Sequence, residues 1–243
     1  MDRTGSDVTQ LPSVSVVIPT LNEEEYLPEL LSCLLGQTYP KLEIIVADYD
    51  STDATRELCR KHKVRLTCGG LPGEGRNAGS RIASGEYLLF LDADTSFPED
   101  FVGALLNQME KQGADACSVQ CFPMPHSRMM TAVHRLSNCY FWLTTRLGFP
   151  HGIGACLMVK RKAHDAVGGF DETVKVAEDQ DYIRRLARAG RYEFFFQPNI
   201  LVSTRRFVKE GLWTMCLKWM FIDFYRLFVD EIRKDNLVKY FAL

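Results

Sequence analysis

The feature that most constrains this chain is Tyr87-Leu88-Leu89-Phe90-Leu91, an apolar run followed at once by Asp92-Ala93-Asp94. A short continuous apolar run of this kind reads as a strand buried on both faces, which requires helices on each side of its sheet. The two acids stand two residues apart, and at strand spacing they point to one side where the sheet stops. Two convergent carboxylates there suit a hard cation, which can neutralise a nucleotide diphosphate. Asp-x-Asp by itself also occurs in solvated turns. What gives it weight is context: a glycine-rich stretch precedes it, and a second acidic cluster (Glu178, Asp179, Asp181) follows.

Other segments repeat the strand signal. Val14–Ile18, Leu42–Ala47, Val64–Cys68 and Ala116–Cys121 read as strands. Between them, Leu27, Leu30, Leu31, Leu34 and Leu35 share one helical face, and Asn22 with Glu25 has capping-box spacing. Asp53 can open a helix carrying Leu58, and Pro98 begins one that packs Phe101, Leu105 and Met109 and stops at Gly113. Strands alternating with helices predict an α/β fold with a mostly parallel sheet flanked by helices. Ligands in such sheets bind beyond the carboxyl ends of the strands. Pro19–Glu23, Asp48 and Asp92–Asp94 all fall at such ends, so three strand ends predict one site. From about Pro123 the pattern is less regular. Gly152–Val159 reads as a strand, Gly168-Gly169-Phe170-Asp171 as a turn and Gln180–Ala189 as a helix, with Phe194–Phe196 and Ile200–Val202 as short strands.

At 243 residues the chain suits one such domain, and a net charge of −2 offers no general attraction to nucleic acid. The eight cysteines form no Cys-x-x-Cys and lie mostly in apolar segments, which predicts reduced core thiols in a cytoplasmic protein rather than a zinc site. Residues 1–12 are polar and read as a disordered tail, and no apolar run is long enough to span a bilayer. In the last segment, 211–243, Trp213, Leu217, Met220, Phe221, Phe224, Leu227 and Phe228 share one helical face. That amphipathic face reads as core or an oligomer contact. With Lys218, Arg226 and Arg233 nearby it also fits membrane-surface contact through 213–229, which would place the protein peripherally at the inner face.

The stretch from Gly73 to Gly79 is Gly-x-Gly-x-x-x-Gly, one residue too long for a dinucleotide fingerprint, and it precedes its strand. It reads as a flexible loop, or as backbone that lets a nucleotide approach while Arg76 meets phosphate or base. Glu178-Asp179-Gln180-Asp181 opens a helix, where acids complement the helix dipole, and a carboxylate placed beside a diphosphate site can also deprotonate an acceptor hydroxyl. Arg205-Arg206 follow an apolar strand and can hold a leaving phosphate.

Taken in order, Val16-Val17-Ile18-Pro19-Thr20-Leu21-Asn22-Glu23, Asp48 through Asp53, Arg76-Asn77-Ala78-Gly79, Leu91-Asp92-Ala93-Asp94 and Gly168 through Asp181 resemble a family 2 glycosyltransferase with the GT-A fold, over about residues 14 to 207. The resemblance implies inverting transfer from a nucleoside-diphosphate sugar to a glycan, lipid-linked or small-molecule acceptor. It implies nucleotide-sugar contacts at Pro19, Thr20, Leu21, Glu23, Asp48, Arg76, Asp92 and Ala93, with Asp94 holding Mg²⁺ or Mn²⁺. Asp179 takes the position of the general base, and Glu178, Arg205 and Arg206 are acceptor or diphosphate contacts. On this reading residues 13–122 form the nucleotide-sugar half and 123–210 the acceptor half of one domain. Leu21 stands where an aromatic often stacks on the base, and Tyr49-Asp50 replace the common Asp-Gly. Ser203 and Phe207 replace the Gln and Trp of processive members, which argues against a polymerase. Two rivals are a sugar-phosphate nucleotidyltransferase and a non-catalytic sugar-nucleotide-binding protein. The first needs a glycine-rich loop with Arg and Lys after the first strand, and Pro19–Glu25 has neither; the second does not explain two intact acidic clusters.

Overall fold

The computed structural model describes residues 11–228 and 231–233. Its first half runs β1 (Val14–Thr20), α1 (Leu27–Leu35), β2 (Leu42–Asp48), α2 (Thr55–Lys61), β3 (Arg65–Cys68), α3 (Pro72–Ile82) and β4 (Tyr87–Leu91). Then follow β5 (Thr95–Ser96), α4 (Phe101–Gln112), β6 (Ala116–Met124), α5 (Arg128–Arg146), β7 (Cys156–Lys160) and α6 (Arg161–Ala166). The chain continues through α7 (Glu178–Ala189), β8 (Tyr192–Ser203), α8 (Arg205–Glu210) and α9 (Leu212–Phe228).

One sheet carries the fold, in the order β3-β2-β1-β4-β7-β6-β8-β5. The pairs among β1, β2, β3 and β4 are parallel, as is β6 with β8; β7 is antiparallel to both β4 and β6, and β5 to β8. The period of two along β4 shows how the sheet is covered. Leu89 and Leu91 join the cluster that includes Leu27, Leu30, Leu31, Phe101 and Leu105 of α1 and α4. Leu88 and Phe90 point the other way and join Phe170, Tyr182 and Ile183. The apolar run of the sequence is thus a central strand buried on both faces.

Several expectations need correction. Gly73–Gly79 is no loop: it lies inside α3, with Pro72 in the first turn. Gly75 and Gly79 let that helix settle on the sheet, since a β-carbon would stand 3.1 Å from Pro19 Cβ at Gly75 and 2.3 Å from Val17 Cγ1 at Gly79. No capping box forms at Asn22. The residue sits at φ 54°, and α1 begins five residues later behind Tyr26, with no side-chain cap. Leu35, placed on the apolar face by its spacing, is 55% exposed. The strand expected at Gly152 starts only at Cys156, and the two short strands expected between 194 and 202 are one, Tyr192–Ser203. The irregular region after Pro123 contains a helix of 19 residues, α5. There the ladder between β6 and β8 slips between Val119 and Cys121, and Asn138 of α5 supplies what the slip requires. Its amide donates to the Cys121 carbonyl at 2.9 Å and accepts from the Cys121 N–H at 3.2 Å.

The inward face of α9 is a second apolar row, Leu212, Met215 and Ile222, joined by Arg226, and the face expected as core turns outward. Trp213, Met220 and Phe224 are exposed, whereas Met215, Ile222 and Arg226 are buried. Residues 1–10 of the expected tail, and 234–243 of the last segment, lie outside the described residues. Leu11 packs on the core, and the Tyr39 hydroxyl donates to the Pro12 carbonyl at 2.5 Å. All eight cysteines are free thiols, four of them buried. Among the described residues, no helix is long and apolar enough to cross a membrane.

Candidate active site

The site begins where β1 and β2 end. Asp48 is buried (2% exposed), and its carboxylate accepts from Thr20 Oγ1 at 3.1 Å, Ser51 Oγ at 2.5 Å and the Ser51 N–H at 3.1 Å. It anchors the loop after β2 to the end of β1. The two loops are then laced together: Asn22 N–H donates to Ser51 Oγ and Glu23 N–H to Thr55 Oγ1, both at 2.8 Å. Leu21 and Tyr49 are left exposed on this edge. Pro19 lies half-buried against α3, and Ala93 is buried at the end of β4.

Asp92 and Asp94 lie just beyond β4, so the alternation of the strand does not reach them, and they engage different arginines. Asp92 Oδ1 accepts from Arg76 at 2.8 Å, whereas Asp94 Oδ2 lies 3.0 Å from Arg205 Nε. The partner of Asp94 is delivered from far away in sequence. Ser203 N–H donates to the Asp94 carbonyl at 3.0 Å, alongside the β5–β8 pairing, and the chain turns there into α8. Arg205 also forks onto Glu23, with two hydrogen bonds of 2.7 Å, and lies over the Tyr26 ring at 4.5 Å. Asp94 is nevertheless short of positive charge. Burial pushes its carboxyl up to about 6, and Asp92 and Glu23 add to the rise, against the opposing pull of Arg205 and Arg206. Arg206 itself is exposed.

Arg76 is the hub. It is 3% exposed, and α3 delivers it under the ends of β4 and α7. One guanidinium nitrogen donates to Glu178 Oε1 at 2.7 Å; the other donates to Asp92 and to the Gly154 carbonyl at 3.3 Å. Burial of Glu178 raises its carboxyl, with Asp179 adding to the rise, while Arg76 opposes it. A single arginine therefore joins the two acidic clusters, and it does so as an internal ion pair. Its guanidinium is spent on the Asp92 and Glu178 carboxylates.

Asp179 follows Glu178 in the first turn of α7 and is half-buried. Its carboxylate accepts from its neighbour Gln180, through the N–H at 2.9 Å and Nε2 at 3.2 Å. Gln180 Nε2 also donates to the Gly152 carbonyl at 2.6 Å, which ties α7 to the loop before β7. Gly154 in that loop has to be glycine, because a β-carbon would sit 2.4 Å from Asp179 Oδ2. Ala155, next in line, accepts from the Asp92 N–H at 3.2 Å. The loop 152–155 thus sets the second acidic cluster beside the first. The same loop begins at a pocket of about 310 Å³ lined by Phe149, His151, Arg184, Arg188, Asp223 and Arg226, among others.

Of the sequence candidates, Thr20, Glu23, Asp48, Arg76, Asp92, Asp94, Glu178, Asp179 and Arg205 come together at one sheet edge. Gln180, Gly154 and the pocket residue Asp223 were not singled out by sequence. The spacing Gly152-x-Gly154 before an apolar strand was the available signal for the loop; for Asp223, inside a helix read by its aromatic face, none existed. The site's donor set suits a hard cation. Asp94 is a mostly enclosed carboxylate, its side chain 11% exposed, in a field of other acids with the Asp92 carboxylate beside it; among the described residues no group of three or more metal-ligating side chains forms. Diphosphate oxygens would have to complete the shell, the usual arrangement for Mg²⁺.

The sequence model described as glycosyl transferase family 2 matches residues 15–168, more than half of the chain. The chain belongs to glycosyl transferase family 2. Among relatives of this family 2 member, the poly(ribitol-phosphate) β-N-acetylglucosaminyltransferase TarS of Staphylococcus aureus strain Mu50 is 40% identical over 90 residues, 33% of this chain and 16% of TarS. The succinoglycan biosynthesis protein ExoA of Rhizobium meliloti is 28% identical over 210 residues, 76% of this chain and 61% of ExoA. The chain therefore spans under two thirds of the length of either relative. The structure of TarS 1–349 with UDP-GlcNAc superposes at a TM-score of 0.65 and 22% identity, over 79% of this chain and 58% of that one. The mannosyltransferase PcManGT from Pyrobaculum calidifontis, solved with GDP-Man and Mn²⁺, gives 0.63 at 27% identity, over 80% and 58%. The fold of this family 2 chain is accordingly GT-A, as its motifs implied, with the mostly parallel sheet expected and β7 and β5 running antiparallel.

Proposed function

We propose that this chain transfers a sugar from a nucleoside-diphosphate sugar to an acceptor hydroxyl by single displacement with inversion. The observation that carries the reading is Arg76, which binds Asp92 on the donor side and Glu178 on the base side. It places the candidate base one residue from a fixed contact to the candidate donor acids. Asp179 is half-buried and held by Gln180 and the close backbone of Gly154. It accepts the proton of the acceptor hydroxyl as that oxygen attacks the anomeric carbon and the bond to the diphosphate breaks. Charge grows on the leaving diphosphate, and Arg205 and Arg206 at the mouth of the site meet it. Mg²⁺ or Mn²⁺, held by Asp94 with Asp92 beside it, would supply further charge neutralisation there. Pro19, Thr20, Leu21, Glu23, Asp48 and Ala93 form the wall for the nucleotide, most of it backbone that the Asp48 network holds in place. The acceptor enters through the pocket between Phe149, His151, Arg188 and Asp223, where Arg184 and Arg226 are paired with Glu231. The donors bound by the TarS and PcManGT structures support a nucleotide-sugar donor here, and the Mn²⁺ of PcManGT supports the cation.

The test has two arms. A thermal-shift series with UDP, GDP and their sugars, with and without Mn²⁺, identifies the donor, because a ligand of the folded state raises the melting temperature. With that donor, Asp179→Asn is expected to lower transfer by about 10²–10⁴-fold while nucleotide affinity stays within a few fold. Transfer at the parent rate would remove Asp179 from the role of base.

A further inference from the structure

We propose that α5 and α9 together form a docking face for an anionic lipid bilayer, an inference independent of which acceptor the site takes. The two helices are neighbours. Met130 and Val133 of α5 pack into one cluster with Phe207, Met215 and Trp219, and His134 meets the Phe207 ring at 5.8 Å. Farther along, the pocket lined by Phe149 and His151 past α5 is closed by Asp223 and Arg226 of α9.

Each helix turns an apolar stripe outward. On α5, Leu136, Tyr140, Leu143 and Leu147 recur at helical spacing and are exposed, Leu136 by 73%. On α9 the stripe is Trp213, Leu217, Met220, Phe224 and Phe228, with Trp213 75% exposed. Single exposed apolar residues are ordinary, but an apolar stripe on each of two neighbouring helices is a surface that needs a partner. Tryptophan, tyrosine and phenylalanine are the residues that favour the bilayer interface.

Charge selects the partner. Helix α5 contains no Asp or Glu but three Arg, in a chain that carries 31 acids and 29 bases. Arg128, Arg135 and Arg146 of α5 are exposed and share one row with Trp142, beside the apolar stripe, with Arg146 also 3.6 Å from Glu193. Lys209 of α8 is exposed as well. An apolar stripe edged by cations matches acyl chains edged by anionic headgroups. A two-fold pairing that set α5 on α5 would bring two acid-free basic helices together, which charge opposes. The acceptor-side pocket lies at the edge of this face, so docking would hold the site at the bilayer surface.

The experiment is co-sedimentation of the full chain with extruded vesicles, comparing phosphatidylcholine alone with mixed phosphatidylglycerol–phosphatidylcholine. Binding is expected only to the mixed vesicles, with loss at high salt and a blue shift of tryptophan emission. Leu143→Glu and Phe224→Glu are each expected to lower partitioning by about tenfold or more. Arg128→Gln and Arg135→Gln should each weaken it by about fivefold and flatten its salt dependence. These side chains are exposed already, so melting temperatures should hold; should Phe224→Glu unfold, Leu143→Glu and Trp213→Glu carry the test. A chain that stays in the supernatant with mixed vesicles overturns the proposal. So does a dimer in lipid-free solution that the same glutamate substitutions disperse.

Discussion

At the scale of single residues, burial sets the chemistry more than residue type does. Asp94 and Asp179 are both half-buried acids at element ends, yet one stands beside Asp92 and Glu23 with its carboxyl raised by burial to about 6 and the other lies beside an amide donor. Asp94→Asn keeps the shape and removes the charge. Calorimetry on that variant should show Mn²⁺-dependent nucleoside-diphosphate binding abolished with the fold intact; unchanged metal-dependent affinity would remove Asp94 as a ligand. His164 shows the same principle away from the site. Its ring nitrogens lie 2.6 Å from the Tyr182 hydroxyl and 3.1 Å from Ser80 Oγ, and burial lowers it from the ordinary 6.5 to about 4. The folded protein therefore prefers the neutral ring. Its contribution is complete above pH 6.5 and declines as pH falls towards 4, where the unfolded chain binds a proton that the folded chain refuses. Denaturant titrations should show the loss over that window, at most about 3 kcal/mol, and His164→Gln should have a shallower pH slope.

At the scale of elements, α3 is the decisive piece. Its glycines are poor helix formers, and their reason is the closeness of the helix to β1. Gly79→Ala should gain about 1 kcal/mol of helix propensity and lose more to overpacking against Val17, for a net destabilisation of about 1–2 kcal/mol. Pairing it with Val17→Ala should relieve the clash, and equilibrium unfolding of the single and double variants checks the coupling. Glycine spacing is legible in a sequence, but whether it serves a loop, a nucleotide or a neighbouring strand is not. Likewise α5 carries a 19-residue helical period without an acid or a clear cap to announce it, and its docking depends on the Cys121 backbone groups that a slipped ladder leaves open.

At the scale of the whole molecule, ion pairs between distant segments assemble the site. Arg76 and Glu178 are 102 residues apart, Arg205 and Glu23 182 apart. Replacing Arg76 with Met should leave Glu178 buried without its partner and cost about 3–5 kcal/mol. For a domain of this size that is a fall in melting temperature of very roughly 10 °C. The double variant Arg76→Met, Glu178→Leu should recover most of the stability and none of the transfer activity. If stability does not return, the ion pair is not what Arg76 contributes.

The ordered motifs, the buried central strand and the strand ends that face the site all follow from local patterning. Apolar runs, periods of two and 3.6, and acids at strand ends are properties of short stretches of chain. Partner choice is not. That Arg76 serves Asp92 and Glu178, that Arg205 stands on Asp94 and Glu23, and that the aromatic stripe of α9 faces outward beside that of α5 depend on which segments the sheet order brings together. Sequence lists the charges and the apolar faces; only the packed structure decides which are neutralised or covered inside the molecule and which remain for a ligand or a surface.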